Sequence, residues 1–433
     1  MRNQTYKKTI SAIHNVKYGG LPTHYPSIIG WDLYKSAPGF VESLRSSFLK
    51  KGKEPFGIYV HIPFCKTKCR FCFLDVLCDI YRQDEYVGLL LKEFEFFNSL
   101  DFRRKKVDSV YIGGGTPNLF SARNIGRILE GLKRNFNLSP LTRITMESNP
   151  GFWNSEKIRI LKKYGVDTVI MGVQSFDADA SLKNNRSQDL DSLYDFARRF
   201  RKNGIKINID LLLGLTDGKK FKKDLESISK LLPDQIHVNR IKPLRGTLSG
   251  EEKNKLKQMQ NEAFSFLSEF GYSRIDEDSC SLKIYEGRNI NIQGDPKYQI
   301  YSSILGLGMG AMGHLFSKCR YQNTLNLETY KKSLETGLPP VFKYCKISEA
   351  DEITHYCLNR ISDGFVDVDD MRKKFSKESV KKMFKKFEKA GKSGLLEPVE
   401  NGFEIKGDVD FFEITKIFYD IKYLKKIAQK FGF

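Results

Sequence analysis

Six short runs of apolar and β-branched residues recur between positions 58 and 240, and the stretches between them carry helical periodicity. The first is marked by Ile58, Val60 and Ile62; the others are Val107 to Ile112, Thr142 to Ser148, Asp167 to Gly172, Lys206 to Leu212 and Gln235 to Arg240. From Asp84 to Ser99, Tyr86, Leu89, Leu90, Phe94 and Phe97 recur at the spacing of one helix face, and Ile158, Leu161 and Tyr164 do the same farther on. Strands alternating with helices of this length call for parallel pairing, because a parallel partner is reached only through a crossover. A chain of 433 residues has room for such a barrel with additions at both ends. In that architecture ligand-binding residues belong at the carboxyl ends of the strands, which is where Glu147, Gln174 and Asp210 fall at or near.

The loop after the first run is Pro63-Phe64-Cys65-Lys66-Thr67-Lys68-Cys69-Arg70-Phe71-Cys72-Phe73, a C-x3-C-x2-C triplet leaving a buried strand. Iron–sulfur clusters take one Cys thiolate per iron as a rule, so three cysteines would leave one iron of a four-iron cube open to a small molecule. A zinc site built from the same thiols and His61 is the alternative donor set. His61 lies on the presumed strand, however, and structural zinc motifs favour paired C-x2-C spacings. Lys66, Lys68 and Arg70 make the loop electropositive, an environment that favours thiolates over inert buried thiols. Eight cysteines, three of them clustered, suit a reduced cytosolic metal protein better than a disulfide scaffold.

The chain carries a net charge of +20, which admits acidic partners, yet its lysines are spread along helical faces such as Lys381 to Phe387. A solvated lysine face accounts for that distribution without a nucleic acid, while a substrate with several carboxylates remains compatible with it. No stretch approaches the roughly 18 unbroken apolar residues of a membrane helix. The first residues, Met1 to Lys8, lead into no apolar segment of a secretory signal.

With the motifs in view, the chain resembles the radical S-adenosylmethionine (SAM) enzymes of the oxygen-independent coproporphyrinogen III oxidase family. The resemblance rests on His61-Ile62-Pro63-Phe64 running into the cysteines and on Gly113-Gly114-Gly115-Thr116-Pro117 after the second strand. Glu147-Ser148-Asn149-Pro150 and Gly172-Val173-Gln174-Ser175-Phe176 extend it. It implies an α/β fold: a partial (β/α)6 TIM-like barrel at 56–250, an arm at 1–55, a barrel extension and linker at 251–344 and a mostly helical, winged-helix-like domain at 345–433. It also implies a [4Fe-4S] cluster on Cys65, Cys69 and Cys72, with SAM on the open iron. Reduction would cleave the sulfonium to methionine and a 5′-deoxyadenosyl radical that abstracts hydrogen from substrate. By the same resemblance Gly114, Gly115 and Thr116 meet the amino group of the methionine moiety, and Glu147 and Asp210 meet the ribose hydroxyls. Gln174 and Arg186 meet the carboxylate and ribose, Phe71 packs beside cluster and adenine, and Tyr59 sits beneath the site.

The implied partners are a tetrapyrrole substrate and an external electron donor such as flavodoxin or ferredoxin, in the cytoplasm, with no membrane and no nucleic acid. The family also holds methyltransferases, heme-opening enzymes and heme chaperones. The chain has Phe73-Leu74 where the oxidase carries a Gly-Cys pair, and Gly294 to Tyr298 where the chaperone branch has a His-Asn segment. Gly19 to Ser27 resembles the family's N-terminal arm, and Ile304 to His314 its Leu-Gly-x-Gly-x-Gly-Ala segment beside the adenine. Helices are expected at Glu349 to Ile361, Val366 to Phe375 and Lys377 to Ala390, then a hairpin over Leu395 to Ile405 turning at Asn401-Gly402. A substrate-covering or structural role fits this module better than DNA binding, since fold alone does not confer function. Two basic groups are candidates for substrate carboxylates: Lys17, Lys35, Arg45 and Lys50 in the arm, and Arg240, Lys242 and Arg245 after the sixth strand.

Overall fold

The computed structural model describes residues 3–14, 25–33, 40–42, 44, 54–242, 248–286, 288–290, 300–362, 364–406 and 411–432. After a two-residue strand, β1 (Asp32–Leu33), the six expected strands appear as β2 (Phe56–Ile62), β3 (Lys106–Gly114), β4 (Asn137–Ser148), β5 (Thr168–Gln174), β6 (Lys206–Leu213) and β7 (Gln235–Arg240). They pair in parallel in sequence order. Two further strands, β8 (Tyr272–Arg274) and β9 (Ser279–Leu282), extend the β7 edge antiparallel. On the other side β10 (Ser303–Leu307) pairs in parallel with β2. Then β11 (Met312–Leu315), β12 (Cys319–Asn323) and β13 (Val341–Lys346) run antiparallel out to β1, completing a 13-stranded sheet.

The parallel part therefore gains a seventh strand inside a stretch that reads in sequence only as a glycine-punctuated apolar run. The glycines are the reason: a Cβ at Gly306 would overlap the Met312 carbonyl, and one at Gly313 the Tyr321 ring. The β10–β12 strands pack too closely for side chains at those positions, so the alternation that marks a strand is erased.

Strand alternation sets the two faces. Along β6, Ile207, Ile209, Leu211 and Leu213 are fully buried against the helices, while Asn208 and Asp210 occupy the other face. The Gln83–Ser99 helix buries Tyr86, Leu89, Leu90, Phe94 and Phe97, the face its spacing specifies.

A second core forms around the helices Glu349–Ser362, Lys377–Lys392, Phe411–Phe418 and Ile421–Lys430. Beside them lies a three-stranded sheet of β14 (Phe365–Asp367), β15 (Leu396–Val399) and β16 (Gly402–Ile405) in the order β14-β16-β15. Two expectations need correction here. The segment expected as a helix from Val366 starts as β14, and the helix begins at Val368 because the Asp367 carboxylate caps it, accepting from the Asp369 and Asp370 amides at 2.9 Å each. The hairpin turns at Glu400-Asn401, with Val399 opposite Gly402. Gly402 lies within β16 because a side chain there would overlap the Val366 carbonyl.

Ile13 and Tyr25 from the N-terminal region belong to this second core, and Lys426 pairs with Asp32 at 2.9 Å. Part of the arm thus packs on the C-terminal helices, while Phe40 and Leu44 belong to the first core and β1 pairs with β13. Lys17, Lys35, Arg45, Lys50, Gly19 to His24 and Gly294 to Tyr298 lie outside the described residues.

The two cores meet across a buried charge cluster. Glu352 Oε1 accepts from His314 Nε2 and the Ser317 amide, both at 2.8 Å, and Arg320 Nη2 stands 3.8 Å from Oε2. Burial works to raise the Glu352 carboxyl, but His314 and Arg320 together with these hydrogen bonds hold it below the usual carboxylate range. Glu352→Ala leaves the buried Arg320 without its counter-charge, and the expected loss is about 3–5 kcal/mol of stability. Urea unfolding followed by circular dichroism measures it, and a loss under about 1 kcal/mol would show that the pair does not secure the junction.

Candidate active site

The chain leaves β2 at Ile62 and is fastened at once. Gly115 N–H donates to Ile62 O and Thr116 N–H to Phe64 O, both at 2.7 Å, while Cys65 N–H donates to Leu77 O at 3.0 Å. On its far side Arg70 N–H donates to Asn184 O at 3.0 Å, Thr67 Oγ1 to Asn185 O at 2.9 Å, and Asn185 Nδ2 back to Lys68 O at 3.0 Å. Held on three sides, the loop turns Lys66, Lys68 and Arg70 to solvent and leaves Cys65, Cys69 and Cys72 half-buried against a cavity. Thr116 Oγ1 lies 3.3 Å from Cys65 Sγ, and Arg186 Nη1 donates toward Cys69 Sγ at 3.7 Å.

The electropositive loop does not by itself favour thiolates. Burial pushes the Cys65 thiol up to about 11 and raises Cys72 as well, outweighing at Cys72 the lowering by Lys68 and Arg186. Iron would supply the missing positive charge, with protons released on binding. The donor set suits a cluster better than zinc. His61 faces away from the cysteines: its Nδ1 is 2.7 Å from the Tyr59 hydroxyl and its ring abuts Gly114. Burial lowers its pKa to about 4, so the ring is neutral. Among the described residues no three His, Cys, Asp or Glu side chains converge on a single ion-sized point. A cube of irons spaces its thiolates more widely than one ion does.

The cavity encloses about 440 Å³. Its wall brings together the three cysteines, Phe71, Gly114, Gly115, Thr116, Glu147, Gln174, Arg186 and Asp210. Tyr59 is absent from that wall and lies below it, its ring 6.0 Å from that of Tyr111.

The glycine segment uses its amides within the protein. Its N–H groups do not point at a ligand: Gly114 N–H donates to Glu147 Oε2 at 2.8 Å, and those of Gly115 and Thr116 hold the cysteine loop. With these amides engaged, what Gly114, Gly115 and Thr116 can turn to the cavity they line is acceptor oxygen, which suits an ammonium group. Gly114 has φ +112°, and a Cβ at Gly115 would lie 2.5 Å from Phe64 O, so neither position tolerates a side chain.

Across the cavity two carboxylates approach one another. Glu147 accepts from the Tyr111 hydroxyl as well as from Gly114 N–H, yet burial dominates and pushes it up to about 7, with the nearby charge of Asp210 adding to the rise. Asp210 Oδ1 lies 2.9 Å from His237 Nδ1 on the neighbouring strand. Burial opposes a charge on His237, but the hydrogen bond and charge of Asp210 outweigh it and raise its pKa. Gln174 ends β5 at φ +67°, a strained conformation for a residue with a side chain, at a break in the β5–β6 register. Arg186 donates through Nε to Gln188 Oε1 at 2.9 Å and through Nη2 to Gly172 O, tying the end of β5 to the cysteine loop.

Sequence reasoning passed over His237 and Asn239, and read Lys66 and Lys68 as loop charges rather than as residues lining a cavity. A signal existed for two of them: Gln235, His237 and Asn239 place a polar residue at every second position of β7, the mark of an inward polar face. Other expectations are redirected. The Gly306–Gly310 segment does not line the cavity; Gly308 packs on the His61 carbonyl and donates its N–H to buried Glu93 at 2.6 Å. No described residue beyond Lys242 lines the cavity, so the described part of the C-terminal region does not cover it. Arg240 reaches the rim but is paired with Glu277, Arg245 lies outside the described residues, and Cys78 is exposed.

Comparison with known proteins agrees with this geometry. Residues 59–227 match the model of the Radical SAM superfamily. An oxygen-independent coproporphyrinogen III oxidase of Helicobacter pylori is 28% identical, over 84% of this chain and 86% of its own length. The heme chaperone HemW of Lactococcus lactis is 30% identical, over 66% of this chain and 76% of its own. The solved Escherichia coli coproporphyrinogen III oxidase (HemN) superposes with a TM-score of 0.75 at 23% identity, covering 91% of this chain and 96% of that one, and shares the fold. The chain belongs to the radical SAM family that contains the HemN-type oxidases and the HemW-type chaperones, whose members use a [4Fe-4S] cluster and SAM. Among the described residues no helix is long and apolar enough to cross a membrane.

Because the folded pKa of Glu147 is raised, to about 7, its contribution to stability is fully present below the unfolded value and is lost as pH rises through 7. Glu147→Gln removes that dependence. The variant should gain on the wild type between pH 5 and 8 by on the order of 2–3 kcal/mol, read from denaturant midpoints in buffers of matched ionic strength. Parallel pH profiles for the two proteins would refute a buried, late-ionising Glu147.

Proposed function

We propose that this radical SAM enzyme holds its cluster on Cys65, Cys69 and Cys72 and its SAM across the cavity, and abstracts hydrogen from a propionate-bearing tetrapyrrole. Loss of a propionate carboxyl group as CO2 would follow, with the leftover electron passed to an external one-electron acceptor, an oxidation in keeping with the name of the Helicobacter relative. One observation carries the reading: a single cavity has three thiols on one wall, with backbone acceptors and two carboxylates opposite. When bound, the reduced cluster would pass one electron to SAM, supplying a 5′-deoxyadenosyl radical with methionine as the leaving group.

The chain's own groups do the rest. The carbonyls of Gly114 and Gly115 and the Thr116 hydroxyl accept the ammonium of SAM, while Glu147 and Asp210 accept its ribose hydroxyls. Gln174 and Arg186 lie beside the methionine carboxylate, Arg186 also approaching Cys69 Sγ. Phe71 covers the adenine side and limits water, and Tyr59 supports His61 beneath.

Lys66, Lys68 and Lys242 line the mouth of the cavity, and among the described residues none is paired with a carboxylate. Cations in that position suit the propionates of a tetrapyrrole. Arg240, already paired with Glu277, is a weaker candidate. Lys66, Lys68 and Arg70 also present a basic face to an acidic electron carrier, for which flavodoxin or ferredoxin is the natural class. Two separate apolar cores support a division near residue 345, the second of them also taking in Ile13, Tyr25 and Ile300 from earlier in the chain.

Anaerobically reconstituted protein should hold close to four irons and four sulfides. Alanine at Cys65, Cys69 or Cys72 should abolish this, and Cys78→Ala should not. With dithionite and SAM it should release 5′-deoxyadenosine, faster when coproporphyrinogen III is added, and Lys68→Ala with Lys242→Ala should raise KM for the porphyrinogen about tenfold. Tight heme binding with no 5′-deoxyadenosine would favour instead the chaperone role named for the Lactococcus relative. Zinc without labile sulfide would end the radical reading of this site.

A further inference from the structure

Asp210 is a short acid on β6 facing Glu147 across the cavity, where an untethered carboxylate would turn freely. One of its oxygens is nevertheless tethered. Oδ1 is 2.9 Å from His237 Nδ1, and the two residues are direct neighbours in the parallel register of β6 and β7. Among the described residues Oδ2 has no hydrogen-bond partner, and Asp210 lines the cavity while His237 lies one layer deeper.

Which nitrogen of His237 carries the proton follows from its other edge. Gln235 Nε2 is 2.8 Å from His237 Nε2, and Asn208 Nδ2 is 3.2 Å away. The orientation of the Gln235 amide is not free. Its Oε1 accepts from the Ile290 backbone N–H at 2.9 Å, a group that can only donate, and its Nε2 also donates to Asn289 Oδ1 at 3.0 Å. An N–H of Gln235 therefore points at His237 Nε2, which must offer a lone pair. The proton is left on Nδ1, directed at Asp210.

We infer that His237 is a positioning residue for the adenosyl ligand: with its tautomer set by Gln235, it holds Asp210 as an oriented carboxylate whose Oδ2 faces the cavity to accept from vicinal hydroxyls. The inference rests on the proposed reading of Asp210 as a ribose ligand. The hydrogen bond from His237 fixes which oxygen of Asp210 is engaged and which is presented, whereas Glu147 is engaged by Tyr111 and Gly114. The cavity then has two unlike acids, one a fixed acceptor. The strand pattern shows that the arrangement was built into β7, since Gln235, His237 and Asn239 all face inward where an apolar residue would pack more simply.

The test uses cluster-loaded protein and S-adenosylhomocysteine, which is not cleaved, so that affinity is read without turnover. His237→Leu should weaken binding about tenfold, and His237→Asn, whose side-chain amide places a donor near the position of Nδ1, should restore it to within about threefold. For the 2′,3′-dideoxyribose analogue the loss in His237→Leu should fall below twofold. Wild-type affinity in His237→Leu, beside weak binding in Asp210→Ala, would overturn the positioning role alone. Wild-type affinity in Asp210→Ala would overturn the ribose reading itself. Should His237→Leu fail to load its cluster, 15N spectra of histidine-labelled wild-type protein decide the matter, with His237 assigned by its absence in His237→Asn. At alkaline pH, where the ring is neutral, a protonated Nδ1 and bare Nε2 are expected, and the opposite tautomer would refute the inference.

Discussion

Two backbone hydrogen bonds, from Gly115 N–H to Ile62 O and from Thr116 N–H to Phe64 O, fasten the start of the cysteine loop to the segment after β3. Everything chemical in the molecule is referred to that seam. It brings the loop against the carboxyl edge of the parallel sheet, and it demands glycine, because any Cβ at Gly115 would run into the Phe64 carbonyl. Once these donors are engaged, the same segment shows acceptors to the cavity. The seam thus sets both where the thiols stand and what polarity of group can lie opposite them.

The second constraint is the cost of placing charge inside a sheet. Glu93, Glu147 and Asp224 are all raised by burial, and each is retained only because several donors converge on it. Their surroundings differ. Glu93 accepts from Gly308 N–H, Asn323 and Tyr330 and fastens the glycine stretch behind β2, a structural task. Glu147 faces a cavity and has Asp210 for a neighbour, an arrangement that packing alone would not require. Glu352 plays the joining role at the boundary between cores, where a carboxylate beside His314 and Arg320 links the outer strands to the C-terminal helices.

Membership in a family that includes both oxidases and chaperones makes the particulars of this chain informative. Phe73, exposed at 52%, stands on the cavity wall just after the third cysteine, and the inward face of β7 is polar down to Gln235. Neither feature alters the fold. Both alter what the cavity meets, one at its rim beside the cysteines and one beneath its floor.

How much of this was legible beforehand follows from the range of each interaction. Strand and helix alternation, the cysteine spacing and the glycine segment are local, and from them the parallel sheet could be read in the sequence by itself, with Glu147, Gln174 and Asp210 at or near strand ends; Phe71 and Arg186 were reached only through the family resemblance. Local patterns misled where a glycine or a cap replaced the usual period, as in β10 and at Val366, where Asp367 delays the helix. Only the tertiary structure decided which groups were already engaged. The glycine amides, Arg240 and the described arm residues turned out to have partners far along the chain, and His237 became visible only beside Asp210. The sequence determines the period of the strands; whether a donor is free depends on contacts between residues tens of positions apart, and only folding brings those together.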